Sequence, residues 1–558
     1  MNRISRRRFL IDSARALGLG GVALVSGCSD SERVLGLLGR AGLRRADDYT
    51  AEFVGQSHAR GHRLRDLVDI PASAETRSTA VVIVGAGIAG IAAARALSRA
   101  GVEDYRILEL EDEAGGNSRG GTIMGIDCPW GAHYLPAPGP AAEEVAALLS
   151  ELRLRHVAGG KANYDERHLC HSPQERLFID GRWQEGVVPH AGQSAATLEE
   201  YRRFADLVSR FRASNQFVIP TAARRWNDTM AQLDTQTFAQ WLRERGFKSP
   251  PLQWYLDYCC RDDYGAGSHR VSAWAGLQYF ASRNGFRCPG DCAHPDDEPE
   301  PMLTWPEGNA WLARRLAAPH AERIHTGALV LRVEQQRHQV VLHTLDCASG
   351  RVTRWQAQRA VLATPLFVSA RLLAAPPDAL LEASSRLTYA PWLVANLYVD
   401  RPLALRSGQA PLSWDNVIYA SPGLGYVNAL HQSTLPFQAA TVLTYYLSLG
   451  DDPAAGRRLL MERDLAAWCE MILEDLAVAH PDLRRKVRHI GIMRYGHGMA
   501  VPTPGTRGAP WLARLRAPLG RVHLAHSDLS GYSIFEEAFH WGLRAGAAAA
   551  SVLRSARG

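Results

Sequence analysis

Residues 79–101 read TAVVIVGAGIAGIAAARALSRAG. A β-branched apolar run gives way to a glycine turn and then to Ala-rich helical sequence. The pattern predicts a strand over 80–84 and a helix from near Gly87 to Gly101, a glycine suited to a C-terminal cap. Gly85, Gly87 and Gly90 form G-x-G-x-x-G directly after the strand. Gly85 allows the tight turn, Gly87 lets the backbone approach a pyrophosphate, and Gly90 lets the helix pack close on the sheet. The helix N-terminus, with Ile88 and Ala89 in its first turn, offers free N–H groups and a partial positive charge to the phosphates. "YRILELED" follows and predicts a second strand over 106–110. It places Glu109 about 20 positions beyond the last glycine, where an acidic side chain binds ribose hydroxyls. The stretch reads as a dinucleotide site.

The bulk numbers bound the rest. At 558 residues the chain is long enough for two or more domains with large cores. A hydrophobic content of 46% and a charged content of 22% are those of an ordinary globular protein. The net charge is only +6, on 63 basic and 57 acidic residues, and no basic block with interleaved aromatics occurs, which argues against a nucleic-acid partner. Nine cysteines include no CxxC pair. Cys288 and Cys292 lack a matching second pair, so no metal site is expected, and the two are a candidate disulfide.

The N-terminus carries "SRRRFLIDSARALGLGGVALVSGC", residues 5–28. Arg6 and Arg7 in an S-R-R-x-F-L pattern, then a short apolar run and small residues, read as a twin-arginine export signal. Residues 16–27 are too short to span a bilayer, which takes roughly 20 residues. Val25-Ser26-Gly27-Cys28 resembles a lipoprotein box, in which the cysteine is acylated after cleavage. The twin-arginine machinery is therefore an expected partner, with membrane anchoring through Cys28 and a periplasmic location.

Residues 29–78 are polar and Arg-rich and read as a tether with a few surface turns. Residues 140–290 are mostly helical in pattern, and strands return up to Pro365. A strand-rich stretch runs over 391–449, a helix is expected over 461–479, and a strand, a loop and an Ala-rich helix end the chain. The expected organisation is a signal (1–28), a tether (29–78), a nucleotide-binding domain in three pieces (79–140, 301–366, 505–558) and a substrate domain in two (141–300, 367–504). The fold class is α/β: a discontinuous Rossmann-like domain plus an α+β substrate domain with a mixed sheet and helices.

"ELEDEAGGNSRGG" places Gly115-Gly116 six residues after Glu109, with Arg119 beyond. This resembles the E-x5-G-G-x-x-R signature of the FAD-dependent amine oxidase and phytoene desaturase superfamily. The resemblance implies FAD as cofactor, with the glycine pair and Arg119 at the pyrophosphate. "PWGAHYLP" resembles the family's loop beside the flavin and implicates Gly131, Ala132 and His133. "GALVLRVEQ" resembles the strand that meets the adenine, with Val330 as its contact. "AVLATP" resembles the strand-ending A-x-P and implicates Ala363. "VHLAHSDLSGYSIFEEAFHWGLRAGAAAA" resembles the C-terminal flavin motif, implicating Ser527, Asp528 and Ala538, with His526 and Glu537 in place of usual glycines. "LTWPEGNAWLARRLA" resembles a P-x-G-G element, with Asn309 at its second glycine. An FAD site that needs both ends of the chain folded together also accounts for a folded-protein export route.

The resemblance implies hydride transfer to the flavin N5. Amine oxidases place a lysine near N5, but the segment where it would fall reads "PWLVANLYVD", and the only lysines are Lys161, Lys248 and Lys486. Tyr532 and Trp541 are candidate walls of an aromatic cage. His497, in the Gly-rich "RYGHGMAVPTPG", and His133 are further candidate catalytic residues. His540 reads as a helix-packing residue. Trp414, Asp415, Asn416 and Tyr426 could line a substrate cleft or a sheet surface. The expected function is that of an exported FAD-dependent oxidoreductase acting on an amine-type small molecule. The alternatives are a desaturase or isomerase acting on a C–C bond, and a non-catalytic flavin-binding lipoprotein.

Overall fold

The computed structural model describes residues 49–555, apart from 56, 67–68, 284, 290–300, 406–407 and 434–439. The arginine pair, Cys28 and Cys292 lie outside the described residues.

The β-branched run is the buried end of a longer strand, Glu75–Val84, whose last six residues are all buried. Such a continuous apolar run suits a parallel strand covered on both faces. It pairs in parallel with Tyr105–Leu108 on one side and with Val352–Leu362 on the other. Ile324–His325 extends one edge of the sheet, and Val340–Asp346 and Ala328–Gln335 extend the other. Val522–Leu524 pairs in parallel with the last residues of Val352–Leu362. One sheet thus collects strands from three distant parts of the chain. Two helices, Ile88–Arg99 and Phe535–Ser555, pack against each other. A Cβ at Gly542 or Gly546 would overlap the carbonyl oxygens of Ala89 or Ala93, so the small residues of the last helix permit this approach.

The second sheet has eight strands, in the order Thr50–Phe53, Val487–Val501, Thr388–Val399, Thr441–Ser448, Tyr426–Asn428, Asp415–Ile418, Glu175–Ile179 and Arg182–Glu185. It is mixed, because its first and sixth strands run parallel to Val487–Val501 and Glu175–Ile179 respectively. Alternate residues of Thr388–Val399 serve two cores, as the pleat requires. Trp392 and Val394 join the core of the helices between 195 and 281, and Leu393 and Ala395 join that of Leu465–Ala477. The fold is α/β, as the sequence predicts.

Three expectations change. Residues 49–78 are not a tether throughout: Thr50–Phe53 is an edge strand of the second sheet, His58–Asp66 is a helix, and Glu75–Val84 begins before residue 79. The helix expected over 461–479 is two, Pro453–Glu462 and Leu465–Ala477, and the Asp464 carboxylate caps the second by accepting from Ala467 N–H at 2.7 Å. The strand expected over 106–110 is Tyr105–Leu108. Cys288 is disulfide-bonded.

Candidate active site

A cavity of about 1310 Å³ opens between the two sheets, large enough for a dinucleotide and a small molecule together. Its floor is the glycine turn. Gly85 has φ +95°, and a Cβ there would stand 2.8 Å from Ala363 O. At Gly90 a Cβ would overlap Gly85 O, so the helix lies directly on the turn. Gly87 is the N-cap of Ile88–Arg99, no side chain caps that end, and its first turn holds no acid. The nearest atom to a Cβ at Gly87 would be Gly116 Cα at 3.8 Å. Gly115 N–H donates to Ala86 O at 2.9 Å and bridges the second glycine pair to the first.

The other cofactor residues take up matching places. Gly85, Gly87, Ile88, Ala89, Glu109, Gly115, Gly116, Gly131, Ala132, His133, Val330, Ala363, Ser527, Asp528 and Ala538 all line the cavity. Glu109 is held by Ala86 N–H at 2.6 Å and Glu111 N–H at 2.9 Å. Burial pushes its carboxyl above the usual range against those two bonds. Asp528 Oδ2 accepts from Leu366 N–H at 2.9 Å and from the Tyr389 hydroxyl. Burial opposes ionisation there, and His526, Tyr389 and the Leu366 amide outweigh it and hold the carboxyl below its ordinary value. Two expected contacts are displaced. Gly90 serves helix packing, and Arg119 lies one layer behind the cavity wall, 3.7 Å from Glu111. Free helix N–H groups, an open approach at Gly87 and a fixed acid at Glu109 fit FAD.

The loop over 129–134 is pinned from below. Tyr446 and Tyr495 hydroxyls donate to Gly131 O at 3.0 Å and Trp130 O at 2.8 Å. Asn309, buried, donates to Tyr134 O at 2.8 Å. His133 stacks on Tyr446 with ring centroids 4.5 Å apart, and burial lowers its pKa to about 3. His133 is therefore a neutral wall. His497 lines the cavity 4.7 Å from the Phe367 ring. Burial, then Arg457, Arg65 and His62, lower its pKa to about 4.

The aromatic cage is not where the sequence places it. Tyr532 is 1% exposed, meets Tyr264 and Trp274 edge-on, and donates to Glu537 Oε1 at 3.0 Å. Trp541 donates to Ser530 Oγ at 2.7 Å, away from the cavity. Both belong to a buried network around Glu537, which also accepts from Thr221 N–H and Ser530. Trp392, Tyr134, Tyr446 and Tyr495 face the cavity instead. Asn416 and Tyr426 hold buried Arg176, at 2.6 and 3.3 Å, within the sheet. Lys161, Lys248 and Lys486 are absent from the cavity wall.

Two groups escaped the sequence reading. At one end of the cavity stand Asp262 and Asp263, Arg283 and Glu536. Arg283 pairs with Asp263 at 3.2 Å. Glu536 is 5% exposed and makes no hydrogen bond or ion pair with another side chain among the described residues. Burial pushes the carboxyls of Asp262 and Glu536 up to about 7 each. The second group is His58, His62 and Arg65 of His58–Asp66. Their spacing puts them on one helix face, a periodicity that could have been read.

Residues 88–550 match the flavin-containing amine oxidoreductase family, and the chain belongs to that family. It is an FAD-dependent oxidoreductase. It is 23% identical over 476 residues, 82% of this chain and 91% of the other, to an L-amino acid dehydrogenase of Synechocystis sp.. Putrescine oxidase bound to putrescine has the same fold, with TM-score 0.60 and 19% identity, covering 86% of this chain and all of that one. Cyclohexylamine oxidase from Brevibacterium oxydans matches with TM-score 0.62 and 19% identity, over 86% of this chain and all of the other.

Proposed function

We propose that the protein oxidises an amine. The observation that carries this reading is Glu536, a buried carboxylate that lines the cavity with Asp262 and Asp263 and makes no hydrogen bond or ion pair with another side chain among the described residues. Asp262, Asp263 and Glu536 share the recess with Arg283, which is already paired with Asp263, so burying the remaining carboxylates is costly and an incoming ammonium group offsets that cost. FAD, when bound, supplies a hydride acceptor at its N5 atom. An amine yields hydride readily only when neutral, because its lone pair assists C–H cleavage. The acids hold protons with affinities near neutrality, so they are suited to receive the ammonium and take up its proton. Trp392, Tyr446 and neutral His133 wall the space against water. Putrescine oxidase and cyclohexylamine oxidase, which share the fold, have amines in their names. The test is anaerobic mixing with a panel of primary and secondary amines. Flavin bleaching that quickens as pH rises toward the amine's pKa is expected. Flavin that stays oxidised with every amine, yet is reduced by an apolar substrate that forms an alkene, moves the assignment to C–C desaturation.

The reading extends to location. Arg6 and Arg7 support export of the folded holoprotein by the twin-arginine route to the periplasm, with Cys28 as lipid anchor. Changing both arginines to lysine should leave yellow protein in the cytoplasm, and efficient export of that variant would overturn the assignment. Cys28→Ser should release the protein from the membrane fraction.

A further inference from the structure

Another part of the cavity wall is cationic. Arg65, Arg371, Arg457, Arg458 and Arg494 all line it. They come from four elements: His58–Asp66, Leu366–Leu372, Pro453–Glu462 and Val487–Val501. None of the five forms an ion pair among the described residues, and the only carboxylate these elements bring to the wall is Glu462. Arg371 donates to the carbonyls of Leu64 and Arg65 at 3.3 and 3.4 Å, tying the helix His58–Asp66 down. Arg457 donates to Tyr389 O at 3.2 Å and Arg494 to Leu460 O at 2.9 Å. Arg65 and Arg458 have no side-chain hydrogen bond among the described residues. The cations lie within one another's field: Arg65 lowers the pKa of Arg457, after burial. His58, His62 and His497 stand among them, each with its pKa lowered by burial first.

Like charges that gather around one opening and outnumber the carboxylates beside them focus a positive potential into it. We propose that this mouth binds an anionic group, a phosphate or a carboxylate, and that the helix His58–Asp66 is one of its walls. The group belongs to a second small molecule that bears a carboxylate or phosphate, because the glycine turn and uncapped helix start in the same cavity already serve the diphosphate of FAD. The proposal stands whether or not the reducing substrate is an amine.

The test uses the full-length holoenzyme and the double variant Arg65→Gln, Arg458→Gln, whose side chains make no hydrogen bond or ion pair among the described residues. Released FAD is measured by fluorescence on dilution, and inorganic phosphate and acetate are titrated against flavin absorbance. FAD affinity is expected to stay within about twofold of wild type, and wild type is expected to show a saturable phosphate or acetate response that needs about tenfold more anion in the variant. An anion response that is absent in wild type or equal in both proteins, or an FAD dissociation constant that rises about tenfold or more in the variant, would overturn the proposal. The anaerobic amine assay on the same variant separates this outcome from failure of the amine reading.

Discussion

The cofactor end and the acidic recess of the same cavity are built from different materials. At the cofactor end the chemistry belongs to the backbone: glycine turns at 85–90 and 115–116 and an uncapped helix start. In the recess it belongs to side chains, Asp262, Glu536 and Trp392, carried by three separate elements. A backbone site tolerates no bulk, because the turn itself is the binding surface. A side-chain site can be altered group by group while its scaffold stands.

The largest expected effect tests the backbone end. Gly87→Val meets no protein atom closer than 3.8 Å at its Cβ, so the fold should survive. Its side chain projects into the space of the pyrophosphate, and FAD affinity should fall by more than about 100-fold, or roughly 3 kcal/mol. Gly90→Val has the opposite character. Its Cβ would overlap Gly85 O, so soluble protein itself should be lost. Purified Gly87→Val that keeps wild-type FAD affinity would break the comparison.

The next effect lies in the recess. Glu536→Gln should keep FAD and weaken amine binding about 10- to 100-fold, the worth of a charge-assisted contact. The same variant carries a stability signature. Burial raises the Glu536 carboxyl from an ordinary 4.5 to about 7. A raised acid favours the folded state below its unfolded pKa, and the advantage is lost as pH rises through the folded value. Between about pH 4.5 and 7 the wild type without amine should therefore lose on the order of 3 kcal/mol that the Gln variant retains. Parallel thermal melts over that range measure the difference. Curves that stay parallel would place Glu536 in contact with water or in a direct ion pair with Arg283.

How legible each end was in the sequence follows from the same contrast. The glycines at 85, 87, 90, 115 and 116 were readable because a backbone requirement at fixed spacing can be met by only one residue type. Asp262 and Glu536 were not, since a charged residue on a helix looks like a solvated one until another element covers it. His58, His62 and Arg65 were lost inside a polar, Arg-rich stretch that only tertiary pairing of Thr50–Phe53 with the second sheet brings into the site. Tyr532 and Trp541 were misplaced for a geometric reason. The turn Ser527–Ser530 ends at Gly531 with φ +82°, and beyond it Tyr532 points into the core.

The smallest expected effect tests that last correction. The Tyr532 hydroxyl donates to Glu537 Oε1, which the Thr221 amide also serves at 2.6 Å, so its loss leaves Glu537 still bonded. Tyr532→Phe should cost about 1 kcal/mol of stability, the net worth of one ordinary hydrogen bond. Tyr532→Ala should cost about 3–5 kcal/mol through the cavity it leaves. Neither residue change touches the cavity wall, so the folded Phe variant should reduce its flavin with amine within about twofold of the wild-type rate, a change worth under half a kcal/mol. Trp392→Phe, by contrast, alters a wall residue and should change that rate while leaving Glu537 undisturbed. A Tyr532→Phe protein that melts like wild type but is reduced many-fold more slowly would return Tyr532 to the substrate and make the C-terminal motif part of both ends of the cavity.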